Sequence, residues 1–278
     1  MLIFKQATTL QHFLKHIHRN PSATGFIPTM GALHEGHMSL IKAAQQKQYY
    51  TVCSIFVNPT QFNNREDFEK YPISVENDIE QLLAAGCDVL FLPSVDEVYP
   101  PHWQKEHYDL GSLEQVLEGA HRPGHFQGVC QVVDRLLTIV QPDAMFLGEK
   151  DFQQCMVLHG LLQLKPQHPT RLEMVPTKRE ADGLAMSSRN RRLDEAQRQQ
   201  ATAIHRALQH IKKNYNSKNA VRLQTEATQL LQASGFRVDY VFIADAGTLQ
   251  PASSDTKEAV ALIAASLGGV RLIDNMRL

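Results

Sequence analysis

The first 175 residues alternate short apolar runs with stretches in which apolar residues recur three and four positions apart. Runs bounded by Gly, Pro and polar residues are typical of strands, and the periodic stretches are typical of helices. The predicted strands are, in chain order, ATGFIPT, YTVCSIFVNP, CDVLFLPS and DAMFLG. Because alternating strands and helices form a parallel sheet covered by helices, we predict an α/β fold for this part of the chain.

The pattern changes at Pro176, within a polar and charged stretch. From Asp194 onward it predicts two polar helices, the strand VDYVFIAD, a turn region rich in Gly, Pro and Ser, and the strand AVALIAAS. This order suits a small α+β domain. We therefore predict two domains, residues 1–176 and residues 177–278.

The 278 residues, 43% of them apolar, can fill a real core. No apolar run approaches the ~20 residues that span a bilayer, and the first eleven residues carry too short an apolar stretch for a signal peptide. We expect a cytoplasmic protein without membrane contact.

The four cysteines are Cys53, Cys87, Cys130 and Cys155, and they form no C-x-x-C pair. We therefore expect them to be packing residues rather than zinc ligands, a redox dithiol or a disulfide framework.

The net charge of −1 argues against a nucleic-acid partner, which usually requires a basic surface. The charge is nevertheless unevenly distributed. Residues 1–175 hold 13 Lys and Arg against 19 Asp and Glu, whereas residues 176–278 hold 15 against 10. The basic C-terminal part is either a solvated surface or a segment that covers an anionic ligand held by the N-terminal part.

Two histidines lie in the turn between the first predicted strand and the next helix. In a parallel sheet such turns aim backbone N–H groups and a helix dipole at an anion. Gly31 and Gly36 permit close backbone approach, and His34 and His37 can lie on one side if the segment is helical. Two imidazoles beside a phosphate can stabilise charge that grows in a transition state.

Two other interpretations of this histidine pair remain open. Zinc-binding pairs on a helix usually follow H-E-x-x-H, whereas His34 and His37 are only three apart, and no third ligand is indicated. A purely structural pair is the other alternative.

Polar clusters also follow two other predicted strands. Since the carboxyl ends of parallel strands meet at one edge, three such turns predict one crevice. The clusters consist of Asn58 and Gln61 after one strand and of Gly148, Lys150, Asp151 and Gln154 after another.

A series of ordered motifs runs along the whole chain: PTMGALHEGH, FVNPTQF, RPGHF, GEKDFQQ, DGLAMSSRN and RLIDN. With these motifs the chain resembles the pantothenate synthetase (pantoate–β-alanine ligase) family of HIGH-type nucleotidyltransferases. His34-Glu35-Gly36-His37 corresponds to H-x-G-H, and MSSRN is similar to the KMSKS loop of class I aminoacyl-tRNA synthetases. The resemblance implies a Rossmann-like parallel sheet with helices on both faces, plus a smaller C-terminal α+β lid domain.

The resemblance also implies a reaction, the condensation of (R)-pantoate with β-alanine in two steps. ATP and pantoate would give pantoyl adenylate and pyrophosphate, and the amine of β-alanine would then displace AMP. Mg²⁺ would accompany ATP. The family's usual homodimer would be built mainly by the N-terminal domains.

The resemblance assigns roles to the polar turns. His34, His37, Lys150 and Arg189 would be the catalytic groups that meet phosphate charge. The implied ATP-binding set is Met30, Gly31, His34, His37, Gly148, Lys150, Asp151, Lys178, Met186, Ser187, Ser188 and Arg189.

The resemblance assigns four further residues to the substrate pocket and the metal site. Gln61 and Gln154 would hold pantoate, whose hydroxyls and carboxylate suit amide groups, and Asn58 would support that pocket for pantoate and β-alanine. Asp78 matches an acidic family position near the metal, although an Asp at the start of a helix also serves as a cap or dipole partner.

Three positions depart from the family pattern. Ile73 and Gln127 replace arginines, and Lys178 replaces a valine. We expect altered affinity or subunit contacts and an unchanged reaction class.

Other classes of function compete with the ligase. A tRNA-charging enzyme should show a basic surface or an anticodon domain, and this short, nearly neutral chain shows neither. A zinc hydrolase built on His34 and His37 and a non-catalytic nucleotide-binding module are the remaining alternatives.

Overall fold

The chain forms two compact units in a computed structural model. The described residues are 1–17, 23–61, 71–72 and 74–278. The first unit consists of Met1–Glu149 with Gln153–Pro176, and the second of Lys150–Phe152 with Thr177–Leu278. The main boundary between the units follows Pro176. Their identification as catalytic domain and lid stays a prediction.

A six-stranded parallel sheet forms the centre of the first unit. Its strands are β1 (Leu2–Phe4), β2 (Thr24–Thr29), β3 (Tyr50–Ile55), β4 (Val89–Phe91), β5 (Ala144–Gly148) and β6 (Arg171–Val175). The spatial order is β1-β4-β3-β2-β5-β6, and the paired strands run parallel. The predicted α/β class is confirmed.

Helices follow the strands in the first unit. They are α1 (Ala7–Ile17), α2 (Glu35–Gln46), α3 (Val75–Ala84), α4 (Val95–Val98), α5 (Leu117–His121), α6 (His125–Val140) and α7 (Phe152–Leu164). Short 3-10 turns lie at Pro59–Gln61, Gly111–Glu114 and Glu149–Asp151.

The helices cover both faces of this sheet, as the strand residues demonstrate. Successive strand residues point to opposite faces. Phe26 and Val52 pack with residues of α1, α6 and α7, whereas Ile27 and Cys53 pack with α2 and α3. The expected helices on both faces are therefore confirmed. All four cysteines are buried and free of disulfides, and burial raises the pKa of the Cys53 thiol.

The second unit is a smaller α+β structure with its own core. Its elements are a 3-10 turn (Ser188–Arg192), α8 (Glu195–Gln200), α9 (Ala203–Asn214), α10 (Ala220–Ala233), β7 (Arg237–Asp245), β8 (Ala259–Leu267) and β9 (Val270–Arg277). The strands form an antiparallel sheet in the order β7-β8-β9. Leu208 of α9, Leu223 of α10 and Ile263 of β8 belong to one buried cluster. Among the described helices of the chain, none has the length and hydropathy required to cross a membrane.

Candidate functional site

The carboxyl ends of β2, β3 and β5 adjoin because β2 pairs with both β3 and β5. Met30 follows β2, the turn Pro59–Gln61 follows β3, and Gly148 ends β5. Ligands of open parallel sheets bind at this edge. The structure thus brings together the first-unit part of the predicted site.

The turn after β2 has an unusual backbone. Gly31 and Ala32 both have positive φ, +81° and +50°. A Cβ on Gly31 would lie 3.0 Å from Oδ2 of Asp78, so glycine is required there on both counts. The left-handed conformation costs a residue such as Ala32 about 1–2 kcal/mol.

A buried carboxylate stabilises this turn. Asp78 of α3 is 1% exposed. Its Oδ2 accepts from the N–H of Ala32 and its Oδ1 from the N–H of Leu33, both at 2.8 Å, and Ser74 Oγ donates to Oδ1 at 3.0 Å. Hydrogen bonds to a charged group contribute about 1.5–3 kcal/mol each, which offsets the strain at Ala32.

The structure therefore gives Asp78 a different role from the predicted magnesium ligand. Mg²⁺ takes free oxygen lone pairs in an octahedral arrangement, whereas both carboxylate oxygens of Asp78 are engaged by backbone amides. Within the described ranges, no group of three or more His, Cys, Asp or Glu side chains is arranged to hold a metal ion. Asp78 does not fit the ion, and we assign no catalytic step to it.

The two histidines of the turn cap helix α2 reciprocally. His34 is the N-cap residue with an extended backbone, and its Nδ1 accepts from the N–H of Gly36 at 3.1 Å. The N–H of His34 donates to Nδ1 of His37 at 3.3 Å, and the ring centroids lie 4.1 Å apart. This arrangement uses histidine where Ser, Thr or Asp normally caps.

The capping bonds assign the tautomer of each ring. A neutral imidazole has one donor and one acceptor nitrogen, and Nδ1 is the acceptor in both rings. The proton therefore resides on Nε2 of His34 and of His37. Both rings are half-buried at the amino end of α2, where the helix dipole favours an anion.

Asn58 supports Gln61 in the turn after β3. Asn58 is 1% exposed. Its Nδ2 donates to the carbonyl of Gly128 at 3.1 Å and to Oε1 of Gln61 at 3.3 Å. Its Oδ1 accepts from the hydroxyls of Thr60 and Tyr99, each at 3.0 Å. The Asn58 amide is thus engaged by the protein itself.

The amide of Gln61 lies against Met30. Nε2 of Gln61 is 2.6 Å from Sδ of Met30. Two residues predicted for different ligands, one for pantoate and one for the nucleotide, are therefore in contact.

Sequence reasoning missed two residues behind Gln61. His125, 6% exposed, lies with Nδ1 2.9 Å from the carbonyl of Gln61 and Nε2 3.0 Å from Nη1 of Arg122. Because a guanidinium only donates, Nε2 accepts and Nδ1 donates to Gln61. The RPGHF motif contained this signal, although no role was assigned to it.

Gln154 differs from its neighbour Gln153 on α7. Gln153 is buried and donates to the carbonyls of Leu113 and Val116 at 2.8 and 2.9 Å. Gln154 is half-buried, and within the described part of the chain its side chain forms no hydrogen bond. Its amide therefore differs from that of Gln153 in being uncommitted to the fold.

The remaining predicted ATP ligands lie in the second unit. Lys150 and Asp151 end the 3-10 turn after β5, and their charged atoms are 3.7 Å apart. Lys178 is exposed, and its carbonyl accepts from the N–H of Met186 at 3.0 Å. This bond closes a hairpin of residues 178–186, whose tip has Gly183 with φ +89°.

A short helical turn follows this hairpin. Ser187 caps it, since its Oγ accepts from the N–H of Arg189 at 3.3 Å. Asn190 ties the turn back to the hairpin by donating to the carbonyl of Ala185 at 3.0 Å. Ser188 is buried, whereas Met186, Ser187 and Arg189 are half-buried. The MSSRN segment is thus one ordered structure.

The structure describes the surroundings of Gln127, one of the positions that depart from the family pattern, but not those of Ile73. Gln127 is 9% exposed and exchanges hydrogen bonds with the backbone N–H and carbonyl of Tyr108 at 3.1 and 2.9 Å. It also donates to Glu114 at 3.0 Å, so it joins α6 to the preceding segment. Ile73 lies outside the described residues.

Comparisons with known proteins agree with the motifs. The model of the family described as pantoate-beta-alanine ligase matches residues 2–277. The pantothenate synthetase of Alcanivorax borkumensis is 44% identical over 263 residues, 94% of this chain and 92% of that protein. The enzyme of the same name from Porphyromonas gingivalis is 43% identical over 282 residues, 100% of this chain and 99% of that protein.

Solved structures give the same result. Pantothenate synthetase from Thermus thermophilus superposes with a TM-score of 0.91 and 37% identity, covering 99% of each chain. Pantoate-beta-alanine ligase from Francisella tularensis, solved with β-γ ATP and β-alanine, superposes with a TM-score of 0.82 and 34% identity, covering 99% of this chain and 97% of that one.

Proposed function

The chain belongs to the pantoate–β-alanine ligase family, and we infer from this premise that it joins (R)-pantoate to β-alanine to form pantothenate, using ATP. The observation that carries the inference is the reciprocal capping of His34 and His37, which leaves Nε2 as the donor nitrogen of both rings. A pair of imidazole donors at a helix amino end suits phosphate oxygens. We propose a pantoyl adenylate intermediate.

In the first step, a carboxylate oxygen of pantoate attacks the α-phosphorus of ATP, and the bond to the bridging oxygen breaks to release pyrophosphate. Negative charge grows on the transferring phosphate and on the leaving oxygen. Donors preorganised at those oxygens stabilise the transition state more than the ground state. We assign this role to Nε2–H of His34 and His37, together with Lys150 and Arg189.

In the second step, the amine nitrogen of β-alanine attacks the acyl carbon, the bond to the AMP oxygen breaks, and the nitrogen loses a proton. Gln61 and Gln154 would hold the pantoyl group through both steps, and the Arg122–His125 pair would fix the backbone of Gln61. Asn58 supports the same turn.

The rest of the nucleotide site follows the family pattern. We assign Met30, Gly31 and Gly148 to close contact with ATP, and Asp151 to the ribose hydroxyls. Ser187 and Ser188 add hydroxyl donors beside Arg189, and Lys178 and Met186 flank them. Mg²⁺ would be carried by phosphate oxygens of ATP, where it neutralises charge. The homodimer and the cytoplasmic location stay predictions.

Exchange of labelled pyrophosphate into ATP tests the stepwise reaction. With pantoate present and β-alanine omitted, exchange is expected, and it should vanish without pantoate. Gln61→Ala and Gln154→Ala should each weaken exchange by roughly 5–100-fold through lost pantoate binding, since a polar group left unpaired costs about 1–3 kcal/mol. ATP binding should change much less.

Two results would contradict the proposal. Protein that makes pantothenate from all three substrates but shows no exchange would act by a concerted condensation. Protein that forms neither AMP nor pantothenate with ATP, Mg²⁺, pantoate and β-alanine would lack the activity.

A further inference from the structure

The RLIDN motif near the chain end has no role in the reaction described above, yet it contains two buried polar residues. Asp274 and Asn275 are consecutive on β9 and are 4% and 5% exposed. Successive strand residues point to opposite faces, so one face of a sheet normally takes such polar groups to solvent. Burial of both indicates that each has a protein partner.

Asp274 binds the hairpin that precedes MSSRN. Its two oxygens accept from Nη1 and Nη2 of Arg179 at 2.6 and 3.0 Å, a bidentate pair. Nη1 of Arg179 also donates to the carbonyl of Gly183 at 3.0 Å. Fork-to-fork pairs fix direction as well as distance. The carboxylate of Asp274 therefore fixes the guanidinium that holds the hairpin tip.

Asn275 binds the other candidate ATP segment of this unit. Its Nδ2 donates to the carbonyl of Lys150 at 2.8 Å, and its own carbonyl accepts from Nη2 of Arg179 at 3.1 Å. The guanidinium carbon of Arg277, two residues further along β9, lies 5.3 Å from the ring centre of Phe152. The segment Lys150–Phe152 is thus anchored to β9 at two points.

We propose that Asp274 and Asn275 are positioning residues that set the placement of Lys150 and of the MSSRN segment from a single strand. The inference rests on the proposed function in that Lys150 and Arg189 are the ATP ligands. Strand β9 supports both Lys150 and the MSSRN segment. Lys150 cannot shift without disturbing its bond to Asn275, and the hairpin before MSSRN cannot shift without disturbing Arg179. The two groups of phosphate ligands are therefore preorganised together.

The test is the affinity for ATP, measured by calorimetry with a non-hydrolysable ATP analogue. Asn275→Ala should raise the Kd for the analogue roughly tenfold, and Asp274→Asn should raise it by a similar factor. The KM for pantoate should stay within about twofold, because Asn58 and His125, not Asp274 or Asn275, support its proposed ligand Gln61.

Asp239→Asn is the matched control. Asp239 of β7 accepts from Nε of Arg271 at 2.7 Å, so it forms a carboxylate–guanidinium pair in the same sheet that is separate from the Arg179–Asp274 pair. This variant should keep the wild-type Kd and match the other two in melting temperature. If Asn275→Ala does not fold, Asn275→Asp preserves the size and also lacks the donor.

A double variant separates positioning from general loosening. In a Lys150→Ala background, Asn275→Ala should add less than about threefold to the Kd, whereas independent effects would multiply. An unchanged Kd in folded Asn275→Ala, or equal losses for ATP and pantoate with a lower melting temperature than Asp239→Asn, would overturn the proposal. Because ATP binding is measured directly, the result stands apart from whether the wild type forms pantothenate.

Discussion

The turn after β2 and the hairpin before MSSRN both carry candidate phosphate ligands, but they are held by opposite means. In the first turn a buried carboxylate, Asp78, accepts from the backbone amides of Ala32, which has a positive φ, and of Leu33. In the hairpin a guanidinium, Arg179, donates to a backbone carbonyl and is itself held by Asp274. Asp78 thus accepts hydrogen bonds from backbone N–H groups, whereas Arg179 donates a hydrogen bond to a backbone carbonyl.

This difference follows from the backbone groups that each turn exposes. The first turn lies at a helix amino end, where N–H groups lack helical partners. The hairpin tip turns a carbonyl inward at Gly183, which only a donor can satisfy. The first turn therefore requires an acceptor and the hairpin tip requires a donor, and loss of either support leaves a backbone polar group unpaired.

The largest effect on the rate of pyrophosphate exchange is expected from substitution of the two histidines of the first turn. His34→Ala and His37→Ala should each lower pyrophosphate exchange about 10²–10³-fold, because a transition-state donor is lost. Loss of the helix cap should cost only about 1 kcal/mol of unfolding free energy. The exposed His102→Ala is the control. Exchange within a few-fold of wild type in both variants would refute the assignment.

Substitution of Asp78, which supports that turn, should affect the exchange rate less than loss of either histidine and should affect the stability of the protein more. Asp78→Asn replaces one acceptor oxygen by an NH2 group that faces a backbone N–H. The free energy of unfolding should fall by about 2–4 kcal/mol, as one buried donor loses its partner and the other loses a charged one. Glu76→Gln, exposed on the same helical turn, is the control for the helix dipole.

Ala32→Gly sharpens this prediction. Glycine adopts positive φ without strain, so the substitution should recover part of the stability that Asp78→Asn loses. Chemical denaturation of the single and double variants measures the recovery. An Asp78→Asn protein as stable as Glu76→Gln would show that the carboxylate does not support the turn.

The regular strands of the first unit could be predicted because they are apolar on both faces. The prediction missed β1, β6 and β9. The first is a three-residue edge strand with Leu2 and Ile3 exposed. The second, RLEMV, alternates charged and apolar residues at the other edge and lies directly before the predicted boundary at Pro176. The third is interrupted by Asp274 and Asn275, which resemble loop residues in sequence.

The candidate site could be predicted only as far as residue type and strand ends allow. Asp78 binds the amides of residues 46 and 45 positions earlier, and His125 binds the carbonyl of a residue 64 positions earlier. Such partners are set by which helix packs beside which turn. Sequence showed an acidic residue at a helix start and a histidine in a motif, but tertiary packing decides what they bind.

The smallest effect concerns pH and the support of the hairpin. Among the described side chains, Nδ1 of His205 is a buried atom with no hydrogen-bond partner. A Cβ on Gly183 would lie 2.0 Å from Cδ2 of His205, so the ring packs on the hairpin tip. Burial and then the charge of Arg179 lower the pKa of His205, while Asp274 and Asp182 oppose the shift.

A lowered pKa makes the folded chain bind fewer protons than the unfolded chain below the ordinary histidine pKa of about 6.5. The contribution of His205 to stability is therefore complete above that pH and is lost as the pH falls through the window beneath it. His205→Gln does not titrate, so its melting temperature should fall less than that of wild type between pH 7.5 and pH 5.5, about the range in which histidine titrates. The other twelve histidines are common to both proteins, so their contributions cancel in the difference. His102→Gln removes an exposed histidine and is the control for the loss of one imidazole. Parallel curves for His205→Gln and wild type would show that the hairpin support is insensitive to pH in this range.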